Sequence, residues 1–303
     1  MKVSVIIPSS RDNFVSRTVD GLLRQGTTRN EVEIIVVTPE VEKLRHLREL
    51  GVVLLGVDQL YPPGKMRNVG AGIASGQLLA FIDDDCVPPP FWIDSLSEIL
   101  FTNKKTAIVG CRLVGSKNTF WDRCADYALF SDFQGGKLRQ RPVGSAAILV
   151  RRVAFEEVGG FDEILLASED WEFCLHLQEK GWKCIFSPDV DVVHFHDRGS
   201  LLQIIKNAYR SGLRSGLVVQ ERYPDQLSWL AKLSVTMQSP WLYWLLILPY
   251  AGAVTLSQVK DFFPYNYLVI LYAPFVLLSR CIYHIGVWRN LLAVSLKRQV
   301  SNR

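Results

Sequence analysis

The sequence predicts an α/β protein with an open, mostly parallel sheet flanked by helices, followed by a hydrophobic helical region. Three observations support this prediction. Short apolar runs alternate with amphipathic helical patterns through the first 82 residues, as expected for β-α-β units. The chain has 303 residues, of which 49% are hydrophobic, so it can bury a full core. Long uncharged stretches occur only in its last third.

Four nearly continuous apolar runs are predicted to be strands buried on both faces. They are residues 3–8, 31–37, 52–57 and 77–82. Helices are predicted between them, the first ending near Gly26 and the others covering 41–50 and 65–75. Strands joined by helices form right-handed parallel crossovers. A ligand is therefore expected in the crevice beyond the carboxyl ends of the strands.

Three consecutive carboxylates, Asp83, Asp84 and Asp85, follow the fourth strand. In an extended chain, alternation directs Asp83 and Asp85 to one side and Asp84 to the other. Two carboxylates on one face can hold a hard divalent cation, which in such a setting usually also binds a diphosphate. The alternative is a solvated acidic turn.

The glycines Gly70, Gly72 and Gly76 imitate a dinucleotide-binding fingerprint, but their spacing differs from it. They also lie in a helix that leads into a strand, which is the reverse of the required order. We interpret them as positions of close helix packing or close approach to a ligand.

The charge is unevenly distributed along the chain. The net charge is +4, yet residues 197–303 carry 12 Lys and Arg against 4 Asp and Glu. Basic residues spread along apolar helical sequence suit an anionic membrane surface or a phosphate-bearing ligand, and no nucleic-acid motif is present, so no nucleic-acid partner is expected. The six cysteines show no zinc spacing and are predicted to be reduced and mostly buried. The apolar start is too short for a signal peptide, so the bulk of the chain is expected in the cytosol.

Three stretches resemble motifs of glycosyltransferase family 2, a group of inverting nucleotide-sugar transferases with the GT-A fold. The opening strand and loop are matched by VSVIIPSSRDN at 3–13. The acidic block is matched by GKMRNVGAGIASGQLLAFIDDD at 64–85, and the acceptor-side block by residues 151–196. The resemblance covers about residues 1–215, which we assign to a GT-A catalytic domain.

The resemblance implies roles for individual residues. Asp83 would contact the ribose side of the nucleotide and Asp85 the metal, which would be Mn²⁺ or Mg²⁺. The metal set is Asp83, Asp85 and His194. The nucleotide-sugar set is Pro8, Arg11, Arg67, Asn68, Asp83 and Asp84. Asp170 would be the general base, with Glu169 as its acidic neighbour.

The chemistry agrees with these roles. Inverting transfer needs a base facing the attacking hydroxyl and a cation that neutralises the departing diphosphate. Glu169, Asp170 and Glu172 supply carboxylates, and with Ser168 as N-cap they occupy the first turn of a helix. Acidic residues are also ordinary at the start of a helix, so a purely structural role is the alternative.

The donor nucleotide stays open. After the second strand the family usually has an acidic residue that recognises the base, whereas this sequence has Thr38 and Pro39. Glu40 is a substitute, or the donor carries another nucleotide, so UDP-, GDP- and dTDP-linked sugars are all candidates. His176 stands where the family often has Arg.

The C-terminal region, residues 216–303, is predicted to be helical and associated with a membrane. Residues 233–259 and 262–279 contain no charge, which suits spans at 236–256 and 264–284. We favour a membrane hairpin with both flanks and the catalytic domain on the cytoplasmic side. The alternative is a pair of helices that lie in the interface or form an oligomer contact. Before them, 198–220 has a basic amphipathic pattern that suits either a membrane surface or packing on the catalytic domain.

The sequence therefore predicts a metal-dependent inverting glycosyltransferase at the cytosolic face of the cell membrane, which transfers a sugar to the hydroxyl of a lipid-linked or cell-envelope glycan. One alternative is a polyprenyl-phosphate glycosyltransferase, whose ionised acceptor needs no base. Another is a non-catalytic membrane scaffold that keeps the fold.

Overall fold

The computed structural model describes residues 1–10, 12–26, 31–214, 222–223, 225 and 240–301. The strands are β1 (Lys2–Pro8), β2 (Glu31–Thr38), β3 (Val53–Gly56), β4 (Leu78–Ile82), β5 (Cys86–Val87), β6 (Thr106–Gly115), β7 (Arg139–Gln140), β8 (Ala147–Arg151) and β9 (Lys183–His194). The helices are α1 (Asp12–Leu23), α2 (Pro63–Ile73), α3 (Trp92–Thr102), α4 (Phe120–Leu129), α5 (Arg152–Glu157), α6 (Glu169–Glu179), α7 (Leu201–Leu213), α8 (Pro240–Phe262) and α9 (Val269–Ser301).

The strands form one mixed sheet in the order β3-β2-β1-β4-β8-β6-β9-β5, with β7 paired to β9. The first four strands are parallel, as predicted. β8 is antiparallel to both β4 and β6, whereas β6 and β9 are parallel. The predicted fold class is confirmed, and the carboxyl ends of β1, β2 and β4 share one edge.

β1, β2 and β4 are largely buried on both faces, as their apolar sequences predict, whereas the edge strand β3 is not buried, and Val53 is 45% exposed. All five residues of β4 are buried, and so are the central residues of β1. Gly70 lets α2 approach closely, because a Cβ atom there would lie 2.5 Å from Cγ2 of Ile6. A Cβ on Gly76 would lie 2.6 Å from the Ser4 nitrogen, whereas Gly72 faces open space. Close packing therefore accounts for two of the three glycines.

The predicted α-helix at 41–50 is wrong. Residues 41–44 form a turn, and Arg45–Leu50 form a 3₁₀-helix that ends at Gly51 in the left-handed region. The two buried leucines of this segment, Leu44 and Leu47, are three residues apart. That spacing matches the three-residue turn of a 3₁₀-helix, in which such side chains are aligned.

The chain divides into two compact units. The sheet unit comprises 1–116 and 137–196, and the helical unit comprises 117–136 and 197–303. This division differs from the predicted domains 1–215 and 216–303, because α4 and α7 belong to the helical unit. The assignment of the catalytic domain itself stays a prediction.

The helical unit has its own core. α4 packs against the first half of α9 through rings such as Tyr127 and Tyr272, whose centroids are 5.5 Å apart. α7 crosses α9 where a Cβ atom on Gly212 would lie 2.0 Å from the Tyr283 carbonyl oxygen. Among the described residues, two helical segments are long and apolar enough to cross a membrane, α8 (Pro240–Phe262) and the part of α9 from Val269 to Ala293. The predicted spans overlap them, although residues 236–239 lie outside the described residues.

Candidate active site

The acidic triplet forms a turn and is not extended. The Cys86 nitrogen donates to the Asp83 carbonyl oxygen (3.1 Å), and the Asp83 nitrogen donates to the Ala146 carbonyl oxygen (3.0 Å). The alternation used to place Asp83 and Asp85 on one face therefore does not apply. The three carboxylates instead have three different sets of partners.

Asp84 is buried and ties the triplet to the start of the chain. Its Oδ2 accepts a hydrogen bond from the Ser10 nitrogen (2.9 Å), and its carbonyl oxygen accepts one from Oγ1 of Thr18 in α1 (2.9 Å). These contacts fix the loop that follows β1, the strand that ends at Pro8. The predicted contacts of Asp84 and Pro8 with a nucleotide stay predictions, and Arg11 lies outside the described residues.

Asp85 lies beside Cys86 and His194, all three buried. β5 and β9 place Cys86 directly opposite His194, and Nε2 of His194 is 3.4 Å from Oδ2 of Asp85. One ligand atom from each residue lies within 4.8 Å of the others, so the group can hold a metal ion. A carboxylate donor suits Mn²⁺ or Mg²⁺, and imidazole is a common ligand of metal ions in general. His196 stacks edge-on against His194 with centroids 5.1 Å apart.

The sequence alone does not mark Cys86 as a site residue. The sequence offers one indication, which is that Cys86 directly follows Asp85. Only the pairing of β5 with β9 shows that Cys86 lies beside His194. Burial, and after it the charge of Asp85, raises the pKa of the Cys86 thiol well above its usual value, so the thiol is neutral. All six cysteines are free and five are buried, as predicted.

Arg67 of α2 joins the acidic triplet to the start of α6. It is 3% exposed, and its Nη2 lies 2.7 Å from Oδ1 of Asp83, while its Nη1 lies 2.9 Å from Oε1 of Glu169. Burial acts to lower the pKa of the Arg67 guanidinium, but the charges of Asp83, Glu169 and Asp170 outweigh it and raise the pKa. The guanidinium therefore stays charged. Asp83 is engaged by Arg67 and lies outside the group around His194.

Asn68 holds the loop that precedes α6. Its Oδ1 accepts from the Phe161 nitrogen (2.9 Å), and its Nδ2 donates to the Phe161 carbonyl oxygen (2.8 Å). Gly160 has φ +81°, and a Cβ there would lie 2.6 Å from Oδ1 of Asn68. In this structure Asn68 positions a loop, and its predicted contact with a nucleotide stays a prediction.

Asp170 lies in the first turn of α6, which begins after Ser168 as predicted. Oδ2 of Asp170 accepts from the Ser145 nitrogen (3.2 Å), and Oδ1 accepts from the Trp171 nitrogen (2.8 Å). Burial, and after it the charge of Glu169, raises the pKa of Asp170 to about 7 despite Arg67 and these hydrogen bonds. Ser168 has φ +64° and makes no side-chain cap. Such backbone conformations are costly and cluster at functional sites.

The sheet and the acidic residues at its edge define the class of protein: this is the GT-A fold of nucleotide-sugar transferases. The chain belongs to a known family within it, because the sequence model of the glycosyltransferase like family 2 matches residues 1–212.

Several characterised proteins are similar in sequence. The pre-mycofactocin glycosyltransferase of Mycobacterium tuberculosis is 28% identical over 249 residues, which are 74% of this chain and 48% of that protein. The glucosyl-dolichyl phosphate glucuronosyltransferase of Haloferax volcanii is 30% identical over 216 residues, 64% of this chain and 69% of that protein. The chain thus spans about half the length of the mycobacterial relative.

Solved structures share the fold at low sequence identity. A mannosyltransferase from Pyrobaculum calidifontis in complex with GDP-Man and Mn²⁺ has a TM-score of 0.63 and 17% identity, covering 96% of this chain and 86% of that one. TarS 1–349 of S. aureus in complex with UDP-GlcNAc has a TM-score of 0.52 and 13% identity, covering 98% and 92%.

Proposed function

We propose that the protein transfers a sugar, with inversion, from a nucleotide-sugar donor to an acceptor hydroxyl, and that Asp170 is the general base. The observation that carries this proposal is the bridge made by Arg67 between Asp83 and Glu169. This bridge connects the end of β4, where the donor motif of the family lies, to the start of α6. Asp170 therefore lies close to the acidic edge where a donor is expected.

The protonation chemistry of Asp170 supports this role. A base is most effective when its pKa is near the working pH, and burial raises the pKa of this carboxyl to about 7. In the proposed reaction, Asp170 takes the proton of the acceptor hydroxyl. The hydroxyl oxygen forms a bond to the anomeric carbon while the bond from that carbon to the diphosphate oxygen breaks. Attack from the opposite face inverts the configuration.

Asp85 and His194 would hold the divalent cation. Nε2 of His194 lies 3.4 Å from Oδ2 of Asp85, and the pair offers a carboxylate oxygen, which suits Mn²⁺, and an imidazole nitrogen, which is a common metal ligand. A bound cation supplies positive charge that stabilises the departing diphosphate. Asp83 would serve the nucleotide rather than the metal, because its carboxylate is already paired with Arg67.

The acceptor is proposed to be a lipid-linked or cell-envelope glycan at the cytosolic membrane face. The two apolar helices and the basic surplus of residues 197–303 support a membrane location. The relative from Haloferax volcanii, the glucosyl-dolichyl phosphate glucuronosyltransferase, is named for a lipid-linked sugar. The donor is proposed to be a UDP-, GDP- or dTDP-sugar.

The test is a panel of nucleotide sugars assayed for hydrolysis and for transfer with Mn²⁺, using Asp170→Asn and Asp85→Asn. We expect Asp85→Asn to lose Mn²⁺-dependent nucleotide binding in calorimetry, and Asp170→Asn to bind normally but turn over at least about 100-fold more slowly. The exposed carboxylate variant Glu156→Gln is the control. Full activity of Asp170→Asn on a polyprenyl phosphate would overturn the proposed acceptor class, and a wild type without metal-dependent binding would favour a scaffold.

A further inference from the structure

We propose that the helical unit lies in the plane of one membrane leaflet, with α8 parallel to the surface, and that the turn at 263–268 stays on the same side of the membrane as segment 117–136. This inference rests on the membrane association proposed above, but not on sugar transfer. It replaces the spanning hairpin that the sequence favours.

The exposed surface of α8 and of the following turn is strongly apolar. Leu245 and Leu256 are each 72% exposed, and Tyr267 is 71% exposed. Further exposed apolar side chains are Trp241, Leu242, Trp244, Leu248, Phe263, Tyr265 and Leu268, and Ile270 and Leu271 at the start of α9. So many exposed apolar side chains in one region call for a covering partner.

α9 is covered along one side by helices that carry charge. Between Tyr272 and Ser279 it packs against α4, which contains Asp122, Arg123 and Asp126. From Tyr283 onwards it packs against α7, which carries exposed basic residues. A spanning α9 would draw these charged helices into hydrocarbon, where each charge is costly.

Arg280 leads to the same conclusion. It stands eleven residues after the start of α9, about 16 Å along the helix axis, and so near the middle of a membrane core if α9 spans it. Its Nη2 donates to Oγ of Ser131 (2.7 Å). An arginine at the bilayer centre costs about 3 kcal/mol on insertion scales, which one neutral hydroxyl does not offset.

Chain connectivity fixes the side of the turn. Segment 117–136 leaves the sheet after β6 and returns to it at β7. It cannot cross a membrane and come back, because a single helical crossing needs about 20 residues. The Tyr265 ring packs directly against Gly136, where an added Cβ would lie 1.9 Å from it. The turn therefore lies on the same side as this segment.

The charge of the unit identifies an anionic leaflet as the occupant. Lys206, Arg210 and Arg214 are exposed on and just after α7, and residues 197–303 have a surplus of eight positive charges. Basic residues beside exposed aromatic and aliphatic side chains are typical of helices that insert about 5–10 Å into one leaflet.

The experiment measures depth at two positions of α8. Trp241 and Leu248 are exposed and seven residues apart, so they lie on the same face two turns apart. Each is replaced by cysteine and labelled with a fluorophore in the full chain, which is reconstituted into phosphatidylcholine–phosphatidylglycerol vesicles. Lipids with quenchers at different acyl positions report the depth, and the unsubstituted chain labelled in parallel gives the background from native cysteines.

We expect equal depths for Trp241→Cys and Leu248→Cys. A spanning α8 would place Leu248 about 10 Å deeper than Trp241, because Trp241 lies at the end of the helix and Leu248 near its middle, and would overturn the inference. In sealed membrane vesicles, an impermeant maleimide should label Tyr267→Cys from the same side as Lys117→Cys, which is exposed at the start of segment 117–136. Labelling from opposite sides would also overturn it.

Two further outcomes are informative. If the chain does not bind vesicles but forms a dimer through α8, the apolar face is an interface between copies, and both the membrane location and this inference fail. Loss of transfer with equal depths would refute the proposed function alone. Normal transfer with unequal depths would refute only the in-plane arrangement.

Discussion

Arg67 is the residue on which the geometry of the site depends most. Its guanidinium pairs with the carboxylates of Asp83 and Glu169, which lie in different parts of the chain. The Cζ atom of Arg67 also lies 5.5 Å from the ring centroid of Phe161. A planar fork can serve two acceptors at once, which a lysine ammonium does with poorer geometry. The side chain therefore acts as a structural tie as well as a source of positive charge.

Arg67→Met is expected to lower the free energy of unfolding by about 2–4 kcal/mol and to reduce kcat/KM strongly, because Glu169 is left buried without its counter-charge. Arg67→Lys should recover part of both. Thermal unfolding and steady-state kinetics measure the effects. The control is Arg112→Met, which removes a more exposed pair with Asp191 and should cost less than about 1 kcal/mol.

Asp170 gives a prediction about pH. Because burial raises its pKa from 3.8 to about 7, kcat/KM should rise up to about neutral pH instead of levelling off near pH 5. The folded state binds the proton more tightly than the unfolded state. The associated stability is thus fully present below about pH 4 and is lost as the pH rises towards 7.

Asp170→Asn should therefore be inactive yet more stable than the wild type at pH 8, with little difference at pH 4. Chemical denaturation at the two pH values tests this. Equal stability at pH 8 would show that the carboxylate is not destabilised in the folded protein, and an inactive but stable variant excludes misfolding as the cause of lost activity.

At the scale of elements, Glu33 connects β1, β2 and the end of α2. Its carboxylate accepts hydrogen bonds from the Ser75 nitrogen (2.6 Å), from Oγ of Ser75 (2.8 Å) and from Oγ of Ser4, and it lies 3.5 Å from Nζ of Lys2. Burial alone would raise the pKa of Glu33, but the hydrogen bonds from Ser4 and Ser75 lower it to about 2.

Glu33→Gln is expected to destabilise the protein by about 1–3 kcal/mol at pH 7. Because the folded pKa is depressed, this contribution is present above about pH 4.5 and is lost as the pH falls to about 2. The difference between variant and wild type should shrink across that window in urea titrations. Glu31→Gln, at a side chain that is 78% exposed, should change stability by less than about 0.5 kcal/mol.

The crossing of α7 and α9 gives a second prediction at this scale. Gly286→Ala should destabilise the helical unit by about 1–3 kcal/mol, because the new Cβ would lie 2.6 Å from the Tyr209 carbonyl oxygen. Gly252→Ala in α8 meets nothing within 4 Å and should be neutral or slightly stabilising. Thermal melts of both variants in detergent compare them. Equal melting temperatures would contradict the close crossing.

The sequence predicts individual elements well where one signal dominates. The four apolar runs form β1 to β4, and α6 begins directly after Ser168, as expected. The prediction of an α-helix at 41–50 is wrong because two leucines at a spacing of three suit both an α-helix and a 3₁₀-helix. The prediction of an extended acidic triplet is wrong because a hydrogen bond to the Asp83 carbonyl oxygen folds the triplet into a turn.

For the whole molecule, two separate cores predict two unfolding transitions in detergent. One core is built around Phe81 and Phe155 in the sheet unit, and the other around Tyr127 and Tyr272 in the helical unit. Mn²⁺ together with a nucleoside diphosphate should raise only the transition temperature of the sheet unit. At a ligand concentration of 100 times Kd, the free energy of unfolding of that unit should increase by about 2.7 kcal/mol.

Differential scanning calorimetry measures both transitions. Asp85→Asn should abolish the shift without moving the transition of the helical unit, because Asp85 lies in the sheet unit. A single cooperative transition that moves as a whole would contradict the independence of the two cores.

Long-range pairings limit what the sequence predicts at this scale. Cys86 and His194 are 108 positions apart, and only the β5–β9 pairing brings them together. No local pattern in the sequence predicts that residues 117–136 pack with the C-terminal helices, because the sequence of α4 is typical of an amphipathic helix in an α/β domain. Its partners on α9 lie about 150 positions further along the chain.

This excursion of the chain has a practical consequence for producing the protein in parts. A fragment that stops at residue 215 would keep α4 but lose α8 and α9, which cover its aromatic side chains. We expect such a truncated polypeptide to precipitate during purification even though its sheet is intact. Soluble expression of the sheet alone requires excising 117–136 together with the tail.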